Sequence, residues 1–210
     1  MNKIRRRTFF CWGALLLVSL TACRQQATEP TVHVAELPAV SGERINVVVE
    51  IPAGTNHKIE YQRETGEFRN DTLAEGQLRV IDFLPYPGNY GFIPGTFVDE
   101  AQGGDGDALD VLLLAEAVPT GTVVAALPIG AMLFRDNGEI DTKLIAVPVD
   151  TADRIISATN FVDFMLYYDA ARRILEDWFL HYKGRGAMQL VRWEDERYAW
   201  QEIRRWEIKE

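Results

Sequence analysis

The chain has 210 residues, 47% of them hydrophobic and 25% charged, and its 22 Lys and Arg against 31 Asp and Glu leave a formal net charge of -9. That balance argues against a nucleic-acid partner, whose binding is driven by Lys and Arg neutralising phosphates. It leaves room for a small phosphate ligand, which needs only a local cluster of cations or metal ions.

Residues 1–22 read as an export signal. Lys3, Arg5, Arg6 and Arg7 form a basic start without an acidic residue, an apolar run follows from Phe9 to Leu20, and Thr21-Ala22 precede Cys23. The run is too short for a membrane anchor, which needs ~20 apolar residues. The pattern resembles the bacterial lipoprotein signal, which implies a lipid on Cys23 and a membrane partner through it; an ordinary secretory signal is the alternative. Removing four basic residues and no acidic one takes the formal charge from -9 to -13. Cys23 would then be the sole cysteine and no internal disulfide is possible, so stability must come from the core. The expected location is the bacterial cell envelope, on the periplasmic side. Arg24 follows the cysteine, where an Asp would favour inner-membrane retention, and this points to the outer membrane.

Residues 23–42 carry Pro30, Pro38 and a Gln/Thr/Glu mixture without an apolar period, and read as a tether. As a flexible coil it would span roughly 25 Å. Residues 43–210 show no repeat or low-complexity tract and form one domain, large enough to bury a core.

That domain opens with predicted strands at Asn46–Ile51, Lys58–Tyr61 and Arg79–Phe83. Period two puts Lys58 and Glu60 on one face. Tyr86–Pro94 reads as turn-rich. Further strands are expected at Val111–Leu114, Val123–Leu127 and Ala131–Phe134, and Asn137-Gly138 signals a hairpin that sets Asp141 and Lys143 on one face of the returning strand. Helix is expected only in the last third. Apolar residues recur at spacings of three and four from Phe161 to Tyr182, Asn160 can cap the start and Gly184 can end it. Trp193, Trp200 and Trp206 are expected to pack. Strands first and helices later predict an α+β fold around a small barrel or strongly curled sheet.

Chemistry concentrates in Gly103–Leu114, where Asp105, Asp107 and Asp110 fall within six positions and lead into an apolar strand. Crowded carboxylates repel unless solvent or a cation intervenes. Oxygen ligands suit Mg²⁺ or Mn²⁺, and a calcium-binding EF-hand loop does not fit, because no Asp/Asn-x-Asp/Asn-Gly pattern with a Glu at the twelfth position can be laid over this stretch. The glycines at 103, 104 and 106 would let the side chains converge; a plain acidic surface turn is the alternative. Mixed charges also share strand faces at Glu50, Lys58 and Glu60, and at Asp136, Asp141 and Lys143, where surface ion pairs are the simpler explanation.

The segments Val49–Pro52, Lys58–Glu60, Tyr86–Pro94, Asp105–Val111, Asp136–Lys143 and His181–Lys183 resemble family I soluble inorganic pyrophosphatases in order and spacing, with Asp-Gly-Asp-x-x-Asp-Val as the signature. The resemblance implies a five-stranded OB-type β-barrel with C-terminal helices packed outside, hydrolysing pyrophosphate with Mg²⁺, and Mn²⁺ as a substitute. It implies Asp105, Asp110 and Asp141 as the main metal ligands, Asp136 as the residue serving a further ion, and Glu50 and Glu60 in the metal-water shell. Asp107 becomes the general base. Lys58, Arg79, Tyr90, Lys143, Tyr182 and Lys183 become the phosphate-binding groups, supported by Tyr86. Homo-oligomers are implied too. Ala108 stands where the family usually has Pro, and Arg79 sits one residue nearer Tyr86 than in the best-known bacterial members, with Arg63 and Arg69 upstream. Two rival functions fit parts of the sequence: a non-catalytic binder of metal or polyphosphate, disfavoured by Asp107, and an OB-type module for single strands or glycans, disfavoured by the acidic charge.

Overall fold

The computed structural model describes residue 34 and residues 37–74, 76–136 and 138–209. The export signal, Cys23 and Asn137 lie outside the described residues. Among those described, no helix is long and apolar enough to cross a membrane.

Nine strands and three helices follow in chain order. They are β1 (Val40–Ser41), β2 (Arg44–Ile51), β3 (Ile59–Gln62), β4 (Glu67–Asn70), β5 (Asn89–Phe92), β6 (Asp110–Leu113), β7 (Val123–Asp136), β8 (Glu139–Pro148), α1 (Phe161–Tyr167), α2 (Asp169–His181), β9 (Met188–Asp195) and α3 (Glu196–Trp206). Pairing runs β2-β5-β6-β8-β7 and returns from β7 to β2, so five strands close into a ring, while β1 and β9 add to its outside and β3-β4 form a separate hairpin. All ring pairs are antiparallel except β6 with β8. Closure removes the free edges that an open sheet would expose.

Period two sorts the ring side chains into two cores. Val111, Leu113, Leu133, Leu144 and Ala146 share one cluster with Ala199, Ile203 and Trp206 of α3. Their sequence neighbours Leu112, Met132, Phe134, Ile145 and Val147 share the other with Phe164 of α1 and Leu175, Trp178 and Phe179 of α2. Strands buried on both faces read as unbroken apolar runs rather than alternating ones, and Val111–Leu114 is such a run. Phe134, Phe164 and Phe179 are fully buried, and truncating any of them to Ala would cost about 3–5 kcal/mol.

Several expectations are corrected. Arg79–Phe83 is not a strand: its backbone bonds go to separate loops, with Arg79 N–H donating to Asp71 O and Ile81 N–H to Asn56 O. Tyr86–Pro94 contains β5, because Gly91 lets β2 approach so closely that a Cβ there would lie 1.9 Å from the Val48 carbonyl oxygen. The expected strands at 123–127 and 131–134 are one strand, β7, with an irregularity between Pro128 and Gly130. The single helix divides at Tyr168, whose backbone leaves helical geometry at φ -128° and whose hydroxyl bonds Ser157; Asn160 caps α1 as expected, accepting from Asp163 N–H at 2.9 Å. β9 interrupts the helical third by pairing with the outer edge of β7. Ordered pairing also starts before residue 43, since Val40 opposes Ile45 and Ala39 is buried.

Candidate active site

The acidic loop is pinned to the chain before it. Val98 N–H donates to Asp107 O at 2.7 Å and Gly106 N–H to Val98 O at 2.9 Å. A Cβ on Gly104 would lie 2.3 Å from the Val98 oxygen, and Gly106 sits at φ +78°, so glycine is required at both places. Asp105 accepts from Asp107 N–H at 3.1 Å. Asp110 begins β6, opposite Lys143 in the parallel pairing with β8, and Asp141 comes two residues before that lysine. One carboxylate oxygen from each of Asp105, Asp110 and Asp141 lies within 4.8 Å of the others.

A cation already answers that concentration of charge. Lys143 has a side chain only 6% exposed, and its ammonium donates to Asp110 and forms an ion pair with Asp141 at 2.7 Å. Burial alone would lower its pKa, but Asp110 and Asp141 outweigh burial and hold the ammonium well above the usual lysine value. Asp105 is pushed up, chiefly by burial and further by Asp110, despite its bond from Asp107 N–H. Three converging carboxylate oxygens fit a hard divalent ion.

All the predicted residues except Cys23 line one cavity of about 470 Å³. Among the expected metal-site acids, Asp105, Asp110 and Asp141 converge. Asp136 pairs with Lys183 and Glu60 with Lys58. Glu50 lies where β2 slips register against β5 between Val49 and Ile51, a bulge that re-aims its side chain, and it accepts from Tyr61 N–H at 2.7 Å. Asp107 is open, with its side chain 79% exposed and reaching Arg63 at 3.5 Å. It also accepts from Ala108 N–H at 2.8 Å, a bond that Pro would remove.

The wall opposite the acids is aromatic. Tyr90 is enclosed, which pushes its hydroxyl well above the ordinary tyrosine value, and its ring centre lies 5.5 Å from the Lys143 nitrogen. Burial likewise raises Tyr86. Tyr182 stacks on Trp178 at 4.6 Å and 10°. Arg79 lines the cavity and so does Arg63, whereas Arg69 is turned to Glu67. Three contributors were missed from sequence. Asp71 contacts both Arg79 and Lys58, and Trp178 looked like ordinary core. Asn89, fully buried, accepts from Ala53 and Val118 N–H and donates to the Ala115 and Glu116 carbonyls. Nothing in a lone Asp or Asn announces such partners.

Glu50 gives the metal-free protein a pH dependence. Burial, then Asp110, Asp107 and Glu60, push its carboxyl from 4.5 up to about 8, against the bond from Tyr61 N–H. A carboxyl raised in the folded state holds its proton where the unfolded chain has lost it. Stability is therefore greatest below about pH 4.5 for this group and falls as pH rises to about 8, by up to about 5 kcal/mol. Asp105 acts in the same sense. Urea unfolding in chelator between pH 5 and 9 is expected to show this fall, and Mg²⁺ to reduce it; a flat metal-free profile would contradict the assignment.

Carboxylates converging on a cation beside a row of phosphate-sized cationic and phenolic groups set the context for comparison with known proteins. The family model described as inorganic pyrophosphatase matches residues 47–209. The chain belongs to the inorganic pyrophosphatase family. It is 38% identical over 162 residues to the inorganic pyrophosphatase of Ureaplasma parvum serovar 3, covering 76% of this chain and 81% of that one. Against the inorganic pyrophosphatase of Neisseria meningitidis serogroup A it is 47% identical over 112 residues, and the match spans 57% of that relative's length. Among solved structures of the family, that of an inorganic pyrophosphatase from Neisseria gonorrhoeae is similar with a TM-score of 0.69 at 34% identity, over 83% of this chain and 96% of that one. The type I inorganic pyrophosphatase from Toxoplasma gondii gives 0.74 at 26% identity, over 82% and 84%.

Proposed function

We propose that the protein hydrolyses inorganic pyrophosphate to two phosphates, on a domain tethered to the outer membrane through lipid on Cys23. The observation that carries the reaction is the meeting of Asp105, Asp110 and Asp141 within 4.8 Å, in the cavity that Asp107, Lys58, Arg79 and Lys183 also line. The same reading takes the closed ring as the OB-type barrel, and includes homo-oligomers.

Pyrophosphate resists hydrolysis because its own charge repels an incoming hydroxide. A divalent ion, Mg²⁺ or Mn²⁺, held by Asp105, Asp110 and Asp141 with Asp136, Glu50 and Glu60 around them, would neutralise phosphate charge and make water acidic near neutral pH. The chain's own groups do the rest. Asp107, open to the cavity, accepts the proton of the attacking water. Lys58 and Arg79 on one side, and Lys143, Lys183, Tyr90 and Tyr182 on the other, orient the two phosphates and stabilise charge on the one that leaves. Tyr90, whose hydroxyl pKa is raised by burial, remains protonated at neutral pH and serves as a donor.

The test is phosphate release from pyrophosphate by residues 24–210, with Mg²⁺ and with chelator. Metal-dependent release supports the reading, and no release from folded, metal-loaded protein makes the non-catalytic binder the better account. Lipid on Cys23 is read separately, by the mass of the full-length product from a bacterial membrane fraction.

A further inference from the structure

Two proposed phosphate-binding cations, Lys58 and Arg79, come from segments 21 positions apart, and each carries a charge that repels the other. Their backbones are nevertheless locked through a third residue. Asp71 N–H donates to Lys58 O at 2.8 Å, Arg79 N–H to Asp71 O at 2.8 Å, and Lys58 N–H to Arg79 O at 3.1 Å. The three residues form a closed ring of backbone hydrogen bonds. Between Asp71 and Arg79 the chain makes a short excursion, with Thr72 opposite Leu78 and Leu73 N–H donating to Gln77 O at 2.8 Å, and this returns Arg79 to Asp71's side.

The side chains repeat the arrangement. The Asp71 carboxylate accepts from Arg79 at 3.0 Å and lies 3.7 Å from the Lys58 ammonium. Lys58 and Arg79 line the catalytic cavity and Asp71 does not. Its carboxyl is held below the usual range: burial opposes this, but the Arg79 bond and the Lys58 charge prevail. It is ionised whenever its neighbours are charged.

We infer that Asp71 is a positioning residue, which aims Arg79 and Lys58 at one phosphate by bonding the first and screening the second from it. The inference rests on the pyrophosphatase reading. Its logic is preorganisation: a guanidinium fixed by a carboxylate behind it presents its remaining N–H donors in one orientation, whereas a free one must be ordered during the reaction. Asp71 acts through Arg79, so losing both should cost little more than losing Arg79 alone.

The test is a double-mutant cycle in residues 24–210 with saturating Mg²⁺. Asp71→Asn keeps the shape and removes the charge, and is expected to lower kcat/KM about tenfold. Arg79→Ala should lower it further, and Asp71→Asn combined with Arg79→Ala should match Arg79→Ala within about twofold. Asp71→Glu, which retains the charge, should recover part of the loss. Losses that multiply, an Asp71→Asn variant with full activity, or a fall in its thermal midpoint that accounts for the lost activity, would each overturn the inference. If the parent releases no phosphate, the functional reading fails by itself, and the same cycle is then read as pyrophosphate affinity by calorimetry.

Discussion

Asp107→Asn is expected to lower kcat for pyrophosphate hydrolysis by about 10²–10⁴-fold, the range that positioned proton transfer supplies, while leaving Mg²⁺ affinity within about twofold. The separation follows from geometry. Asp107 lines the cavity, but it is not among the three carboxylates that converge within 4.8 Å. Asn preserves the side-chain oxygen that accepts from Ala108 N–H at 2.8 Å, so the loop keeps its turn while the negative charge and the basic oxygen are lost. Phosphate release gives the first quantity and Mg²⁺-induced stabilisation against heat gives the second. A variant that retains a tenth or more of parental kcat would move the base to another group. One that loses Mg²⁺ affinity together with activity would make Asp107 a ligand instead.

Much of this site could be read in the chain because its elements are short and its charges unusual. The run from Asp105 to Leu114 announced both the carboxylates and the strand that carries them, since a strand buried on both faces has no polar positions to disguise it. Asp141 and Lys143 could be placed on one face from a hairpin signal and period two. What could not be read depends on contacts between distant segments. The ring closes because β2 pairs with β7, placing Ile45 opposite Ala126, and no local pattern states that partner. β5 was hidden inside a turn-rich sequence because Gly91 answers the approach of Val48 rather than a turn. β9 contains Arg192, Trp193 and Glu194, which lack a strand's usual β-branched character, and it exists because β7 is long enough to offer an outer edge. The arrangement of the metal-site acids depends on such contacts too. Asp105, Asp110 and Asp141 converge while Asp136 and Glu60 are each paired with a lysine, and sequence spacing does not state which acids meet and which pair.

Lys143 is the residue for which two functions compete, and its replacement by Met is expected to separate them. The ammonium is enclosed between Asp110 and Asp141, so Lys143→Met leaves two carboxylates facing each other without their counter-ion. Breaking a buried pair in this way costs about 3–5 kcal/mol, a drop of roughly 10 °C in the thermal midpoint of a domain this size. Metal-free protein should show the full drop. Mg²⁺ should recover much of it, because a divalent ion among Asp105, Asp110 and Asp141 supplies the positive charge the lysine gave, and it should stabilise the variant more than the parent. Activity then decides the second function. If the lysine only balances charge, hydrolysis returns along with stability at saturating Mg²⁺. If it also holds a phosphate, kcat/KM stays lower by about 10²–10³-fold in a protein that is folded and metal-loaded. The second result is expected. The Lys143 nitrogen lies 5.5 Å from the Tyr90 ring centre and lines the same cavity as Tyr182 and Lys183, among groups that serve a phosphate better than they serve a metal.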